Sequence, residues 1–326
     1  MSQVHPYRSL NVPRDAPFEL KPSPGKGWGA FATRRIVRGA MILKEWPLFI
    51  IQKPHEEITE VDVRKCFVQL GPGEKQQFMS IRDNASTTFM LMQHTFAENS
   101  FLLTGSPPTH GMFLLHSRFN HSCLPNAKVP EASGETIAIF ATRDIVAGEE
   151  ITFCYNTDFE CRTKNERHRA LRFVCDCKAC LTGTLFQELS DLRRRLLRGL
   201  QYLTHGVDLD GKRQGSVSPI IVDTELRQAA ENFSIPLSVR LVLWLLSMVL
   251  LEEEGLLDYL MIERLNPSIL RMAGWFRTES NARVAKQAIA QDTWLGKFGM
   301  ACRIYGLRDV ADHEVAVILR VLQSRG

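Results

Sequence analysis

"RFNHSCLPNA", residues 118–127, follows the apolar segment Met112-Phe113-Leu114-Leu115 and crowds Asn120, His121, Ser122, Cys123, Pro125 and Asn126 into one short run. Residues of these types serve equally well in a surface turn and at a site where ligands are held or protons are moved. The run alone does not decide between the two, so the rest of the chain has to.

The chain has 326 residues, is 44% hydrophobic and 23% charged, and carries a formal net charge of +4. Such a composition fits a soluble globular protein of one large or two ordinary domains. An excess of that size is no argument for nucleic-acid binding. The stretch "MSQVHPYRSLNVPRDAPFEL" contains no apolar run of the secretory kind. The longest apolar run, "LVLWLLSMVLL" at 241–251, falls short of the roughly 18 residues that a spanning helix needs and reads as a buried core helix. An intracellular protein is expected, in the nucleus, the cytoplasm or both, with no membrane association. In that setting cysteines stay reduced. Eight are present, at 66, 123, 154, 161, 175, 177, 180 and 302, and clustering among them points to metal rather than disulfides.

A near-repeat runs through the first half. "FATRRIVRGAMI" starts at Phe31 and "FATRDIVAGEEI" at Phe140, with eight of twelve positions identical. Each copy reads as strand, turn at Gly39 or Gly148, then strand. Two explanations stand side by side: one hairpin solution used twice, or two units at matching places in one β-fold. Residues 17–51 read as short strands, 55–105 as mostly helical, and 112–116, 135–141 and 150–155 as strand again. After Gly183 the pattern changes. Thr184 with Gln187 resembles a capping box, and Leu185, Leu189, Leu192, Leu196, Leu200 and Leu203 recur at helical spacing. Arg193, Arg194, Arg195 and Arg198 read as the solvated side of that helix. Beyond a polar loop at 205–219 the pattern stays helical, with Asn266-Pro267 as a cap and first-turn proline.

"CDCKAC" sets Cys175, Cys177 and Cys180 in a C-x-C-x2-C pattern. Three thiolates so close can take three corners of a zinc tetrahedron. The fourth corner is open to Cys123, Cys154, Cys161 or His168. "SPGKGWGAF", 23–31, spaces Gly25, Gly27 and Gly29 as G-x-G-x-G. It lacks both the strand-then-helix setting of a dinucleotide loop and the GK[ST] ending of a phosphate loop. What is left is either a glycine-rich turn or a loop whose bare backbone a ligand can approach. "GEEITFCYN", 148–156, carries Tyr155 at the end of a strand.

In this order, G-x-G-x-G, N-H-S-C-x-P-N, G-E-E-I-T-x-x-Y and C-x-C-x2-C resemble a SET-domain protein-lysine methyltransferase. The similarity is strongest to the branch in which an insertion splits the domain, the SMYD and fungal Set5-like proteins. It covers residues 17–182. The fold it implies is α+β: a β-rich SET fold (a β-clip with a pseudoknot) with a helical insertion, a post-SET zinc site and an α-helical C-terminal region. The expected organisation is an N-terminal extension at 1–16, the SET domain at 17–157 with its helical insert at about 52–111, the zinc-binding segment at 158–182 and the helical domain at 183–326.

Residue by residue, the resemblance implies that Gly25, Lys26, Gly27 and Trp28 line an S-adenosylmethionine pocket. Asn120 and His121 hold the methionine and adenine parts, and Tyr155 is the active-site tyrosine. Phe173 stacks near adenine, while Cys123, Cys175, Cys177 and Cys180 hold a structural zinc. A closed site of four thiolates leaves no position for water, which argues against a zinc hydrolase. Residues 52–111 contain one cysteine, Cys66, so the MYND finger of the SMYD proteins is missing. The implied activity is methyl transfer to a lysine ε-amine of a protein or peptide, a chromatin histone or a non-histone substrate, by a monomer. The alternative is a SET-like binding or scaffold module without catalysis.

Overall fold

The two copies of the near-repeat pair with each other. In the computed structural model, which describes residues 5–83, 87–130, 136–171, 173–211, 220–235 and 237–261, Phe31 lies opposite Glu150, Ile36 opposite Ile145 and Met41 opposite Phe140. Equivalent positions of the repeat therefore meet across a local two-fold centred on Ile36 and Ile145. The backbone bonds obey that symmetry. Ile36 and Ile145 exchange two N–H···O bonds of 2.9 Å, and the Gly39-to-Ala141 bond of 2.8 Å is matched by Gly148 to Ala32 at 2.7 Å. Gly39 and Gly148 both sit at positive φ, +83° and +84°, a region that L side chains enter only with strain. Of the two explanations for the repeat, the second holds: two units at matching places in one β-fold.

The chain divides into two compact units, Met1–Tyr155 and Asn156–Gly326. The first contains the strands β1 (Phe18–Ser23), β2 (Gly27–Ala32), β3 (Met41–Glu45) and β4 (Phe49–Ile51), then the helices α1 (Glu60–Gln69), α2 (Pro72–Ser80) and α3 (Met92–Asn99). It continues with β5 (Ser100–Leu103), β6 (Thr109–Met112), β7 (Asn120–His121), β8 (Ala127–Lys128), β9 (Ile137–Ala141) and β10 (Glu150–Phe153). They form three small sheets, ordered β1-β2-β10-β7, β3-β9-β8 and β4-β6-β5. Phe18, Ile36, Ile42, Leu43, Phe119, Ile139, Ile145 and Ile151 bury their side chains in one shared core. Tyr7 and Leu10, ahead of β1, are part of the same core.

Local chemistry explains the boundaries. Helix α1 starts where Thr59 and Asp62 cap each other, satisfying two otherwise orphaned N–H groups. The helical stretch expected over 55–105 is present as α1 to α3 but closes with a strand, β5. The strand expected over 112–116 is a difference of the same scale. It ends at Met112, because the Glu45 carboxylate accepts from the Leu115 and His116 N–H groups at 2.9 Å each. Those bonds lift the chain off the sheet into the 3-10 turn His116–Arg118.

In the second unit the described helices are α4 (Lys164–Leu171), α5 (Leu185–His205), α6 (Thr224–Glu231) and α7 (Leu237–Glu254). The Thr184 hydroxyl caps α5 by accepting from Gln187 N at 3.2 Å, and Gly206 at φ +73° ends it. The solvated-arginine reading of α5 is corrected at Arg194 and Arg198, while Arg195 is exposed. Arg194 is 0% exposed and Arg198 is buried, whereas Leu185, Leu192 and Leu196 are 70%, 54% and 56% exposed. The reason is a carboxylate on another helix. Glu254 of α7 receives Arg194 Nε at 3.0 Å and Nη2 at 2.9 Å, and Arg194 also donates to the Phe159 carbonyl at 2.5 Å. Asp208 receives Arg198 through 2.8 and 2.6 Å bonds. Leu197, Leu251, Met261 and Cys161 pack as a buried cluster in the same unit. The run 241–251 lies in α7, and among the described residues no helix is long and apolar enough to cross a membrane. Asn266-Pro267 lies outside the described residues.

Breaking a buried ion pair strands the remaining charge, which costs about 3–5 kcal/mol. Glu254→Ala should lower the denaturation free energy by that amount. Leu192→Ala, at an exposed position of α5, should change it by less than about 0.5 kcal/mol. Urea titrations of the two variants measure the contrast.

Candidate functional site

Strand β7 is the Asn-His of the "RFNHSCLPNA" run, and it pairs in parallel with β10, Thr152 opposite Asn120 and Phe153 opposite His121. Two residues make a weak ladder, and a side chain completes it. Asn126 Nδ2 donates to Glu150 O at 2.8 Å and to Glu149 Oε1 at 2.9 Å, while its Oδ1 accepts from Thr152 N at 2.8 Å. The amide thus behaves as one more peptide unit against β10. Ser122 N adds a bond of 3.1 Å to Phe153 O. Of the two roles open to this run, the surface turn is ruled out, because all of its residues except the half-buried Leu124 and Pro125 are buried.

On the other side of β10 lies β2, with the glycine loop ahead of it. Gly25 and Gly27 sit at φ +73° and +74°. Gly29 is required for a different reason. A Cβ there would stand 2.4 Å from Glu150 Oε1 and 2.7 Å from Asn120 Nδ2. Asn120 Nδ2 donates to Glu150 Oε1 at 2.7 Å and to the Trp28 carbonyl at 3.1 Å. Lys26 Nζ lies 3.5 Å from Glu150 Oε2. Lys26, Gly29 and Asn120 therefore converge on one carboxylate, and Asn120 ties the Trp28 carbonyl to it.

His121 is engaged at both ring nitrogens. Nδ1 accepts from Tyr155 N at 3.1 Å, so the ring proton resides on Nε2, which faces Cys123 Sγ at 3.2 Å. The imidazole braces the tyrosine backbone, and what it can offer a ligand is its main chain. Tyr155 is 43% exposed, yet its hydroxyl turns inward and donates to Phe119 O at 3.2 Å. Burial of that hydroxyl, against the opposing pull of the Arg118 cation, pushes its pKa up to about 12. The phenol stays protonated throughout the physiological range. Rings of Phe153 and His121 lie 5.0 Å from the tyrosine ring, and Phe101 stacks on Phe153 at 5.8 Å. The hydroxyl thus works in largely apolar surroundings.

Of the second-unit candidates, Phe173 is half-buried, Cys175 and Cys180 are buried, and Cys177 is partly so. The ligand atoms of Cys175, Cys177 and Cys180, within the second unit, all lie within 4.8 Å of one another. Zinc–thiolate bonds of about 2.3 Å put the sulfurs of a tetrahedron about 3.8 Å apart, so the donor set and its spacing suit zinc. Cys161 is buried in the Leu197 cluster instead, and burial raises its thiol pKa, leaving it inert. Glu150 and Asn126, which the motif spacing leaves without a role, prove central to the geometry. Both stand inside quoted motifs, but which side chain a strand-end glutamate meets depends on pairing that spacing does not reveal.

Residues 27–156 match the SET domain family. Over 186 residues the chain is 32% identical to the histone-lysine N-methyltransferase set5 of Schizosaccharomyces pombe, covering 55% of this chain and 56% of that protein. It is 41% identical over 81 residues to human protein-lysine N-trimethyltransferase SMYD5, covering 22% and 18% respectively. To mouse histone-lysine N-methyltransferase SMYD3 it is 40% identical over 76 residues, covering 22% and 17%. The similarity to a SET domain thus spans residues 27–156, and the chain spans about half the length of the fission yeast relative and less of the other two.

Gly29→Ala would force the Glu150 carboxylate off Asn120 and Lys26, costing about 1–2 kcal/mol in lost hydrogen bonds. Gly73→Ala, where an added Cβ meets nothing within 4 Å, should leave stability unchanged or raise it by about 0.5–1 kcal/mol because Gly73 lies in α2. Thermal melts of both variants test the close approach at Gly29.

Proposed function

We propose that this chain transfers a methyl group from S-adenosylmethionine to a lysine ε-amine of a protein substrate. The observation that carries the reading is the β7–β10 pairing, which sets Asn120, the glycine loop and the Tyr155 hydroxyl around one β-strand. The names of the set5, SMYD5 and SMYD3 relatives, all lysine methyltransferases, support the same reaction. A histone or another lysine-bearing polypeptide is the substrate class.

The donor-site residues fit such a cofactor. Gly25 and Gly27 leave the loop backbone bare, and Asn120 directs its Nδ2 into the protein, so its Oδ1 is the atom left to receive an ammonium. In this reading Gly25, Lys26, Gly27, Trp28, Asn120 and the His121 main chain hold the donor, with Phe173 against its adenine. S-adenosylmethionine brings an electrophilic methyl on a sulfonium. The target lysine must be neutral to attack, although its free pKa is about 10.4. Apolar rings around Tyr155 disfavour the ammonium form. With its own pKa at about 12, Tyr155 is no base at physiological pH. It orients the amine lone pair through its hydroxyl, and in-line positioning carries most of the rate. Cys123, Cys175, Cys177 and Cys180 would hold one structural zinc with no open position.

Incubation of the purified chain with methyl-labelled S-adenosylmethionine and a lysine-peptide array tests the reading. Labelled lysine should appear, fall at least about 100-fold with Tyr155→Phe and vanish with Asn120→Ala. Donor binding with no transfer to any substrate would favour the scaffold alternative. Because Tyr155 stays protonated to about pH 12, the rising limb of the rate between pH 7 and about 10 should reflect deprotonation of the target amine and keep its midpoint in the residual activity of Tyr155→Phe. Elemental analysis should find one zinc per chain, lost on Cys175→Ser.

A further inference from the structure

The segment ahead of β1 lies outside the residues that match the SET domain family, yet it is tied into the same site. The His5 ring stacks on the Trp28 indole, centroids 4.2 Å apart and 18° from parallel. Tyr7 meets the same indole edge-on at 6.1 Å and 90°. His5 and Tyr7 are joined in turn: Tyr7 N donates to His5 Nδ1 at 3.3 Å, and their rings meet at 4.7 Å.

This segment is anchored firmly. The Tyr7 hydroxyl donates to Arg82 O at 3.0 Å, accepts from Arg82 N at 2.8 Å and accepts from Arg118 Nη1. The Arg118 guanidinium also lies over the Tyr7 ring at 4.5 Å and donates to Asn99 Oδ1 and Ser117 Oγ. A buried cation needs such bonds, and Tyr7 provides two of its contacts. Leu10 then inserts into the core beside Phe18 and Phe119. Trp28 is thus held at two ends: its carbonyl by Asn120 and its ring by His5. His5 Nε2 is shielded from solvent and has no hydrogen-bond partner, so the ring's contacts are the Trp28 and Tyr7 rings and the single Nδ1 bond from Tyr7 N.

We infer that His5 and Tyr7 are positioning residues for the methyl donor: they fix the Trp28 side chain as one wall of the donor pocket. The inference rests on the proposed function, since Trp28 matters in this way only if the glycine loop receives S-adenosylmethionine. Two flat rings in contact at these distances favour a single indole orientation. Removing one of them frees the indole to rotate, and donor affinity falls while the peptide side is untouched. Tyr7 acts one step further away, by seating His5 and saturating Arg118.

The test measures donor affinity by calorimetry with S-adenosylmethionine and, separately, the KM for donor and for peptide. His5→Ala should raise the donor Kd and KM about fivefold and leave the peptide KM within about twofold. His5→Phe, which keeps a flat ring and removes both nitrogens, should restore donor affinity to within about twofold of the parent. Arg8→Ala, at an exposed position of the same segment, should behave as the parent chain. A His5→Ala chain with parental donor affinity overturns the inference and leaves the proposed function standing. So does one whose donor and peptide constants deteriorate together with its melting temperature, because that is loss of fold and not of positioning. A parent chain that binds no S-adenosylmethionine overturns both.

Discussion

Asn126 is the residue on which the site depends most. Strand β7 has two residues, and a parallel pair that short has too few backbone bonds to hold its register. The Asn126 amide adds three hydrogen bonds to β10 and its glutamates and pins the "NHSCLPN" run alongside. Register then fixes everything nearby. Asn120 faces the glycine loop, His121 reaches the Tyr155 N–H, and the tyrosine hydroxyl reaches the Phe119 carbonyl. A slip of one residue would reverse every one of these side chains.

The repeat supplies the frame for this register and also breaks its own symmetry where chemistry is needed. Across the two-fold at Ile36 and Ile145, Ala40-Met41 of the first copy corresponds to Glu149-Glu150 of the second. In the first copy that position extends β3, with Met41 opposite Phe140. In the second, Glu149 accepts from Asn126 and Arg143, and Glu150 gathers Asn120 and Lys26. The same divergence appears at the turns, where Arg35 and its counterpart Asp144 bear opposite charges and meet at 2.5 Å. That pair is exposed and contributes little stability, but like charges there would repel across the joint.

Much of the first unit is legible in the sequence because its signals are local. Glycines mark turns, alternation marks β10, and the motif order resembles that of SET-domain proteins, whose family model matches residues 27–156. The strand expected over 112–116 stops at Met112 because Glu45, some 70 residues earlier, captures the backbone of Leu115 and His116. Helix α5 departs from its expected faces at Arg194 and Arg198 for a similar reason, although Leu200 is buried and Arg195 exposed as its periodicity suggests. Periodicity distinguishes leucine from arginine and assigns burial by that difference alone. It cannot register that Glu254 and Asp208 neutralise Arg194 and Arg198, which allows these two arginines to be buried. At the site, the residue types are legible and the bonds are not. His121 has the look of a ligand-binding side chain, and the pairing turns its ring into an internal brace.

Two charged groups frame the tyrosine, and their opposition bears on what the hydroxyl can do. Glu150 raises the Tyr155 pKa and the buried Arg118 cation lowers it, while desolvation exceeds the cation's effect and keeps the phenol neutral. A phenolate would attract an ammonium and stabilise the unreactive form of lysine. A neutral phenol offers an oriented dipole without that penalty. Arg118 acts in the same sense on an incoming amine, because a buried positive charge disfavours a second one nearby. The cation is tolerated there because neutral acceptors, Tyr7, Asn99 and Ser117, satisfy its donors, and the Glu45 carboxylate offsets part of its charge. In the proposed reaction this arrangement would favour a neutral nucleophile, with no side chain needing to remove the proton during transfer.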